Sequence, residues 1–352
     1  MHLLGARLVG VGPFEDVRFP FSDDEGEARM VTVVHGGGGV GKTTLLACVA
    51  ATRPGHSVAL LPEPENQPES AGPAFCVCDW RLGIDEPERP HPLQVATPTA
   101  RLSTEDQQEV FRRREQALFD RMAKEGGFAC AVLPAGRWFS RQPLTLQAPA
   151  RTVARYDVRG QTALDDASRS DLARETKQAL AYAEIVQALA GRRPGRDRRL
   201  EQLGATMHDA VNSLVELAGF EYRGVDPRSL EPVFVSTHGR VRSFDGLPTR
   251  VRHLVAIAAL SVRTLSAAYP LRDPATAEGV ILIDEVDLHQ ESSILDGLVP
   301  ALRSVLPGVQ WILTTSSSVV AGTLDTRDVL ALRRSSDQGR VDLFLGSEAR
   351  TH

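Results

Sequence analysis

The segment Met30–Thr44, MVTVVHGGGGVGKTT, decides the fold of this chain. Its first part, MVTVV, is a short β-rich run that predicts a buried strand. The glycines that follow, in GGGGVGKT over Gly36–Thr43, match the pattern G-x-x-x-x-G-K-[ST], and Thr43–Ala51 predicts a helix. A strand, a glycine-rich loop and a helix in this order predict the phosphate loop of an α/β nucleotide-binding protein, rather than an ordinary glycine-rich turn.

Each residue type in this loop has a chemical reason. Glycines let consecutive backbone N–H groups turn toward the α- and β-phosphates without a clash from Cβ. Lys42, one of three lysines in the chain, neutralises charge on the β- and γ-phosphates, and the Thr43 hydroxyl ligates Mg²⁺. Thr44 is expected to contact the α-phosphate. The residues expected to bind the nucleotide are Gly36, Gly37, Gly38, Gly39, Val40, Gly41, Lys42, Thr43 and Thr44.

A second motif lies at Gly279–Gln290, GVILIDEVDLHQ. Four apolar residues predict a buried parallel strand, which delivers the residues after it to the ligand crevice of an α/β sheet. We expect Asp284 to hold Mg²⁺ through water, and Glu285 to deprotonate the attacking water. Glu285 and Lys42 are therefore the expected catalytic residues. Two solvated acids at a strand end are the alternative, which the phosphate loop disfavours.

The spacing of the two motifs selects a subclass of P-loop proteins. Lys42 and Asp284 are 242 positions apart, farther than in compact GTPases, and the sequence contains no N-K-x-D guanine motif. The paired strands of LLGARLVGVGPFEDVRFPF, the segment IDEVDLH and this long separation resemble the ABC-type ATPase heads of the SMC/RecF/OLD group. The resemblance covers residues 1–50 and 230–330. It implies a P-loop head with a β-rich lobe at 1–160 and 219–352, interrupted by a helical insertion subdomain at 161–218.

The same resemblance implies ATP and Mg²⁺ as cofactors, and a homodimer in which two heads close over ATP. Each phosphate loop would then meet the partner's signature segment, L-S-G-G in the family. Here Leu247 fits that segment, but Pro248 and Thr249 stand where serine and glycine are expected. The switch segment T-T-H-S corresponds to Thr315 followed by Ser316 in place of histidine, and Arg137 lies where such heads place a γ-phosphate-sensing loop. These departures put efficient hydrolysis in question, but not nucleotide binding.

Composition bounds the remaining possibilities. The net charge of −5 gives no global reason to bind nucleic acid, and 42% hydrophobic residues indicate a globular chain. The arginine-rich segment Gly191–Arg199 is either a DNA contact or a solvated loop, so DNA stays open as a partner. We expect no membrane span, because Arg263 interrupts the most apolar stretch, and no signal peptide, hence a cytoplasmic protein with reduced core cysteines.

Patterns along the chain predict the other elements. Helices are expected at 104–124, 165–190, 200–218, 250–268 and 292–306, and strands at 75–82, 128–133, 280–283, 309–314, 329–332 and 341–345, with a hairpin over 233–244.

Three functions remain after this reading. The first is an ATPase head whose ATP-driven dimerisation controls a protein effector, in DNA repair or anti-phage defence. The second is a nucleotide-gated switch or scaffold without turnover. The third is a small-molecule phosphotransferase, for which the sequence singles out no acceptor pocket.

Overall fold

A computed structural model describes residues 1–53, 56–57, 72–82, 92–97, 99–100, 106–123, 129–144, 146, 171–190, 198–335 and 340–349. The strands are β1 His2–Val11, β2 Phe14–Pro20, β3 Val31–Gly36, β4 Thr52–Arg53, β5 His56–Ser57, β6 Phe75–Arg81, β7 Leu93–Ala96, β8 Cys130–Leu133, β9 Phe220–Val225, β10 Pro232–Ser236, β11 Val241–Ser243, β12 Gly279–Ile283, β13 Val309–Thr315, β14 Val329–Arg334 and β15 Val341–Leu345. The α-helices are α1 Lys42–Ala51, α2 Asp106–Ala123, α3 Ala173–Ala190, α4 Arg198–Val215, α5 Thr249–Ala268, α6 Ser292–Val305 and α7 Ser318–Gly322.

The central sheet carries both predicted motifs. Its strand order over the described residues is β15-β14-β3-β13-β12-β8, and all neighbours pair in parallel except the edge strand β15. The strand β12 is buried at every residue, as an apolar run in a covered parallel sheet requires. Because β3, β13 and β12 run in one direction, the residues that follow them meet at one edge of the sheet.

The face of the sheet that carries α1 is covered by an antiparallel lobe. Its strand order is β2-β1-β6-β7. Its apolar side chains share one core with α1 and with the side chains on this face of the central sheet. The buried Gln310 joins the lobe to the sheet, since its side-chain amide bonds both the N–H and the carbonyl of Leu3 at 2.7 and 2.9 Å. This lobe is the β-rich part that the resemblance implied, and all four cysteines are buried in its core.

The opposite face is covered by α3, α4, α5 and α6, together with the antiparallel sheet β11-β10-β9. The described parts of α3 and α4 pack into the same apolar core as the central sheet, so this segment has no separate core of its own. The boundary at 161–218 therefore stays a prediction. Residues 161–170 lie outside the described ones, as do Arg192, Arg193 and Arg196 of the arginine-rich segment that is either a DNA contact or a solvated loop.

Among the described helices, α5 alone has the length and apolar composition of a membrane span, and 83% of its most apolar window is buried inside the fold. The interrupting residue, Arg263, is also buried and bonds Glu175 of α3 at 2.9 Å. The helix α5 therefore lies in the core on the face of the sheet opposite α1, which we call the second core.

The elements predicted from sequence appear with ends shifted by a few residues. Some residues of the predicted elements, namely 104, 105, 124, 128 and 165–170, lie outside the described part of the chain. Four of the described strands were missed, and two of them, β4 and β5, are only two residues long. The strand β7 is only four residues long, and β9, FEYRGV, alternates weakly because it packs between β10 and α4. Their pairing depends on tertiary neighbours rather than on local pattern.

Candidate nucleotide-binding site

The glycines of the phosphate loop have two different roles. A Cβ on Gly41, which has φ 90°, would lie 2.6 Å from the Phe14 ring, and a Cβ on Gly36 would lie 2.7 Å from the Leu332 carbonyl oxygen. These two positions therefore exclude larger residues by packing. Gly37 and Gly38 are exposed, and a Cβ on either would meet nothing within 4 Å. Their backbone is open on the outer side, as a loop that binds phosphates requires.

The helix α1 begins directly after the loop. Its first intrahelical bond runs from Leu45 N–H to the Gly41 carbonyl at 2.9 Å, and Gly41 provides no side-chain cap. The first turn also contains no acidic residue. The N–H groups and the positive end of the helix dipole therefore point toward the loop without a side-chain acceptor, which suits an anionic ligand.

Lys42 lies along the inside of the loop. Its ammonium donates to the carbonyl oxygens of Gly36 and Gly37, both at 2.7 Å, and the residue is 7% exposed. Burial lowers the pKa of Lys42, while the carboxylates of Glu285 and Asp284 oppose that shift. Both hydrogen bonds of the ammonium go to neutral carbonyls rather than to a carboxylate, which leaves its charge available to a phosphate.

The acid after β12 meets the loop threonine across the sheet edge. Thr43 Oγ1 donates to Asp284 Oδ2 at 2.7 Å, and Thr314 Oγ1 donates to Asp284 Oδ1 at 2.5 Å. Asp284 is 1% exposed. A hydroxyl and a carboxylate in contact form the hard oxygen set that Mg²⁺ prefers, so the residues present fit a Mg·ATP site. The sequence missed Thr314, whose role depends on the pairing of β13 with β12.

Glu285 has an unusual backbone. Its φ is 46°, a left-handed conformation that costs a non-glycine residue about 1–3 kcal/mol. The Glu285 N–H donates to Thr314 Oγ1 at 2.8 Å, and the Glu285 carbonyl accepts from Arg137 at 2.8 Å. These contacts hold the half-buried carboxylate at the sheet edge beside Lys42 and Asp284.

Arg137 lies behind the acid pair. Its guanidinium donates to the carbonyls of Pro134, Asp284 and Glu285 and to the ring of His253, and burial lowers its pKa to about 10. All three nitrogens thus bond groups of the protein itself. A role for Arg137 as a phosphate sensor stays a prediction, while its contact with the acid pair is a feature that the sequence did not indicate.

The switch segment joins the end of β13 to the residues after the acid pair. Thr315 Oγ1 donates to Asp287 Oδ1 at 2.6 Å and accepts from the Ser317 N–H at 2.9 Å. Ser316 is exposed, and its backbone bonds the imidazole of His35, which precedes the phosphate loop. The switch segment therefore contacts the acid motif through Asp287 and the residue before the phosphate loop through His35. The second contact follows from the parallel register of β13 with β3, which pairs Thr315 with His35.

The signature-like turn, Leu247, Pro248 and Thr249, lies at the start of α5. Leu247 is buried in the second core, whereas Pro248 and Thr249 are exposed. Pro248 is the N-cap residue of α5 and supplies no side-chain cap, and Thr249 Oγ1 accepts from Arg252 at 3.2 Å. The turn therefore offers a hydroxyl and an open helix start at the surface, without the glycines of the family pattern.

Two bacterial proteins are similar to this chain over short segments, whereas no known protein-family profile matches it. One, named a probable ATPase of retron Ec83 from Escherichia coli, is 32% identical over 81 residues, which is 23% of this chain and 15% of that protein. The other, a probable ATPase of retron Vc95 from Vibrio cholerae, is 30% identical over 96 residues, which is 27% of this chain and 19% of that protein. The similar segments span less than a fifth of either relative.

Solved structures match the chain over nearly its whole length. An SMC head bound to the C-winged helix domain of ScpA has 12% identity and a TM-score of 0.51, and the match covers 99% of both chains. An SMC head with an extended coiled coil, bound to the C-terminal domain of ScpA and derived from Pyrococcus furiosus, has 13% identity and a TM-score of 0.50, with 98% and 96% covered. The fold of this chain is therefore that of an SMC head domain, as the resemblance implied.

Proposed function

We propose that this chain binds Mg·ATP and hydrolyses it as an ATPase of the SMC/RecF-like group. The observation that carries the proposal is the 2.7 Å contact between Thr43 and Asp284. It joins the phosphate loop to an acidic strand end 241 positions away, in a fold that SMC heads share. The similarity to two proteins named as probable ATPases of retrons supports the same activity.

The residues divide the chemistry among them. The N–H groups of the loop and Lys42 bind the phosphates, and Thr43 and Asp284 hold Mg²⁺. The metal supplies positive charge that stabilises charge on the phosphoryl oxygens. Glu285 accepts a proton from the water that attacks the γ-phosphorus, while its buried neighbours keep its carboxylate at the sheet edge.

ATP binding drives two heads together in this proposal. Gly37, Gly38 and Gly39 of the phosphate loop are exposed, and so are Pro248 and Thr249 of the signature-like turn, so a second copy can approach each segment. SMC heads in the matched structures are bound to domains of ScpA, which supports a protein effector as the further partner of this chain. DNA repair or anti-phage defence, and a DNA contact, remain expectations from the family resemblance.

Light scattering of Glu285→Gln with and without Mg·ATP tests this proposal. The amide cannot accept the proton, so ATP should persist and the mass should rise from that of a monomer to that of a dimer. We expect kcat to fall by about 1,000-fold, within the usual range for loss of a general base. The double variant Glu285→Gln with Lys42→Met is the control, because it should stay monomeric. An unchanged mass with ATP shown to be bound would contradict the dimer.

A second candidate is a nucleotide-gated switch without turnover. The signature-like turn favours it, since Pro248 and Thr249 replace the serine and glycine of the family pattern, and Ser316 replaces the switch histidine. Phosphate release from the parent protein separates the two functions. Turnover that disappears in Glu285→Gln supports the ATPase, whereas ATP-dependent dimerisation of the parent without release of phosphate supports the switch.

A further inference from the structure

Arg137 and His253 form a buried contact between the loop after β8 and the beginning of α5. Arg137 Nε donates to His253 Nδ1 at 2.9 Å, and the two residues are only 3% and 1% exposed. A guanidinium offers donors alone, so Nδ1 must be the acceptor. The ring is therefore neutral with its proton on Nε2. Burial, followed by the charge of Arg137, lowers the pKa of His253 to about 3.

The other end of the same guanidinium holds the backbone of the acid pair. Arg137 donates to the Asp284 carbonyl at 2.6 Å and to the Glu285 carbonyl at 2.8 Å. Glu285 has the left-handed backbone described above, which the chain maintains only where its surroundings fix it. A shift of the guanidinium would therefore change the direction of the Glu285 side chain.

The first turns of α5 fix the position of the imidazole. His253 belongs to α5, and its ring packs edge-on against Phe139 and at a tilt against His289, both with ring centroids 5.0 Å away. Arg252 lies over the Phe139 ring at 5.5 Å and bonds Thr249 Oγ1 at 3.2 Å. Contacts thus run without a break from the exposed Thr249 to the backbone of Glu285.

We propose that Arg137 and His253 act as a positioning pair that makes the orientation of Glu285 depend on the placement of the first turns of α5. The inference rests on the proposed function, because it takes Glu285 as the base. Neither residue of the pair touches the reacting atoms. A second head that binds at Pro248 and Thr249 shifts the start of α5, and the pair transmits this shift to the base of the same protomer.

Kinetics of four variants test the pair. Arg137→Lys keeps the charge but replaces three nitrogens, which bond three carbonyls and an imidazole, by a single nitrogen. We therefore expect kcat to fall by about 100-fold while the Kd for Mg·ATP changes by less than about threefold. His253→Ala should act in the same direction. His253→Asn should recover at least about tenfold over His253→Ala, because Oδ1 can accept the Arg137 proton. In the double variant of Arg137→Lys and His253→Ala the losses should not add.

Arg263→Lys is the matched control, because Arg263 is equally buried, lies on α5 and bonds Glu175 rather than the acid pair. It should leave kcat within about twofold of the parent even if it lowers the melting temperature. The proposal is overturned if Arg137→Lys loses no more activity than Arg263→Lys, or if His253→Asn shows no recovery.

A readout without ATP tests the same contact. The side-chain ¹⁵N spectrum of His253, assigned by its loss in His253→Asn, should show an unprotonated Nδ1 and a protonated Nε2, and the Nδ1 signal should move in Arg137→Lys. A protonated Nδ1 in the parent would overturn the pair. If the parent protein hydrolyses no ATP, the proposed function of Glu285 as the base is contradicted instead. Turnover that needs Glu285 but tolerates Arg137→Lys removes the positioning pair alone.

Discussion

Lys42 and Lys177 are both buried, yet their surroundings differ in kind. Lys42 hydrogen-bonds the neutral carbonyls of its own loop, whereas Lys177 bonds two carboxylates, Asp245 at 2.8 Å and Glu231 at 3.1 Å, and the Gln142 carbonyl at 2.9 Å. In the proposed function, the charge of Lys42 is left for the phosphates of the nucleotide. The charge of Lys177 is satisfied within the fold, and it joins α3 to the turn that precedes the signature-like residues.

In the proposed function, this difference separates a lysine that binds the nucleotide from a lysine that serves the fold. Lys42 is 7% exposed and Lys177 is 1% exposed, so burial alone does not tell them apart. The partners do. The two carboxylates compensate the desolvation of the Lys177 ammonium. Lys42 has no hydrogen-bonded carboxylate, so its burial costs free energy of folding, as is common for groups at binding sites.

The largest expected effect is on stability at Lys177. Lys177→Met removes the cation and leaves Glu231 and Asp245 facing each other. Loss of one partner of a buried ion pair costs 3–5 kcal/mol, and we expect about 3 kcal/mol because both carboxylates keep about a quarter of their exposure. Urea denaturation measures the change, and the affinity of the folded fraction for Mg·ATP should be unaltered.

A triple variant sharpens this test. Lys177→Met combined with Glu231→Gln and Asp245→Asn removes the uncompensated charges, so most of the lost stability should return. If the triple variant is as unstable as Lys177→Met alone, the lysine acts by packing and the comparison with Lys42 loses its electrostatic basis.

The same substitution at Lys42 should have the opposite profile. Lys42→Met is expected to weaken Mg·ATP binding by about 100-fold, or about 2.7 kcal/mol, because the phosphates lose their direct cation. The free energy of unfolding should stay the same or rise, since burial disfavours the charged form of Lys42. Calorimetric titration and urea denaturation give the two numbers. Unfolding of Lys42→Met at lower urea would show that the loop depends on the lysine for its own structure.

The smallest effect concerns pH and the α5 side of the head. The pKa of His253 is about 3 in the fold and about 6.5 in the unfolded chain, so the unfolded state binds more protons between these values. The contribution of His253 is complete above pH 6.5 and is lost as the pH falls. From pH 7 to pH 5 the parent should lose about 2 kcal/mol more stability than His253→Asn. Urea denaturation at the two pH values measures these losses. If the parent and His253→Asn lose the same free energy of unfolding between pH 7 and pH 5, the pKa of His253 is not lowered in the fold.

Much of the site was predictable because it is local in sequence. The phosphate loop needs a contiguous run of glycines, a lysine and a threonine, and the acid pair needs only an apolar strand before it. Thr314 and His35 show the limit. Both are ordinary strand-end residues in the sequence. The pairing of β13 with β12 places Thr314 beside the acid pair, and the pairing of β13 with β3 places His35 beside the switch segment. Register between distant strands is not encoded in either segment alone.

The sequence by itself determined the P-loop class, the loop residues and the acid pair, because backbone chemistry at a phosphate restricts which residues can follow one another. Only the tertiary structure decided what surrounds them. Arg137 bonds His253, 116 positions away, and Glu285, 148 positions away. Lys177 bonds Asp245, 68 positions away. Such contacts depend on how helices pack on the sheet, and the side chains that make them show no local pattern that distinguishes them from other buried or exposed charges.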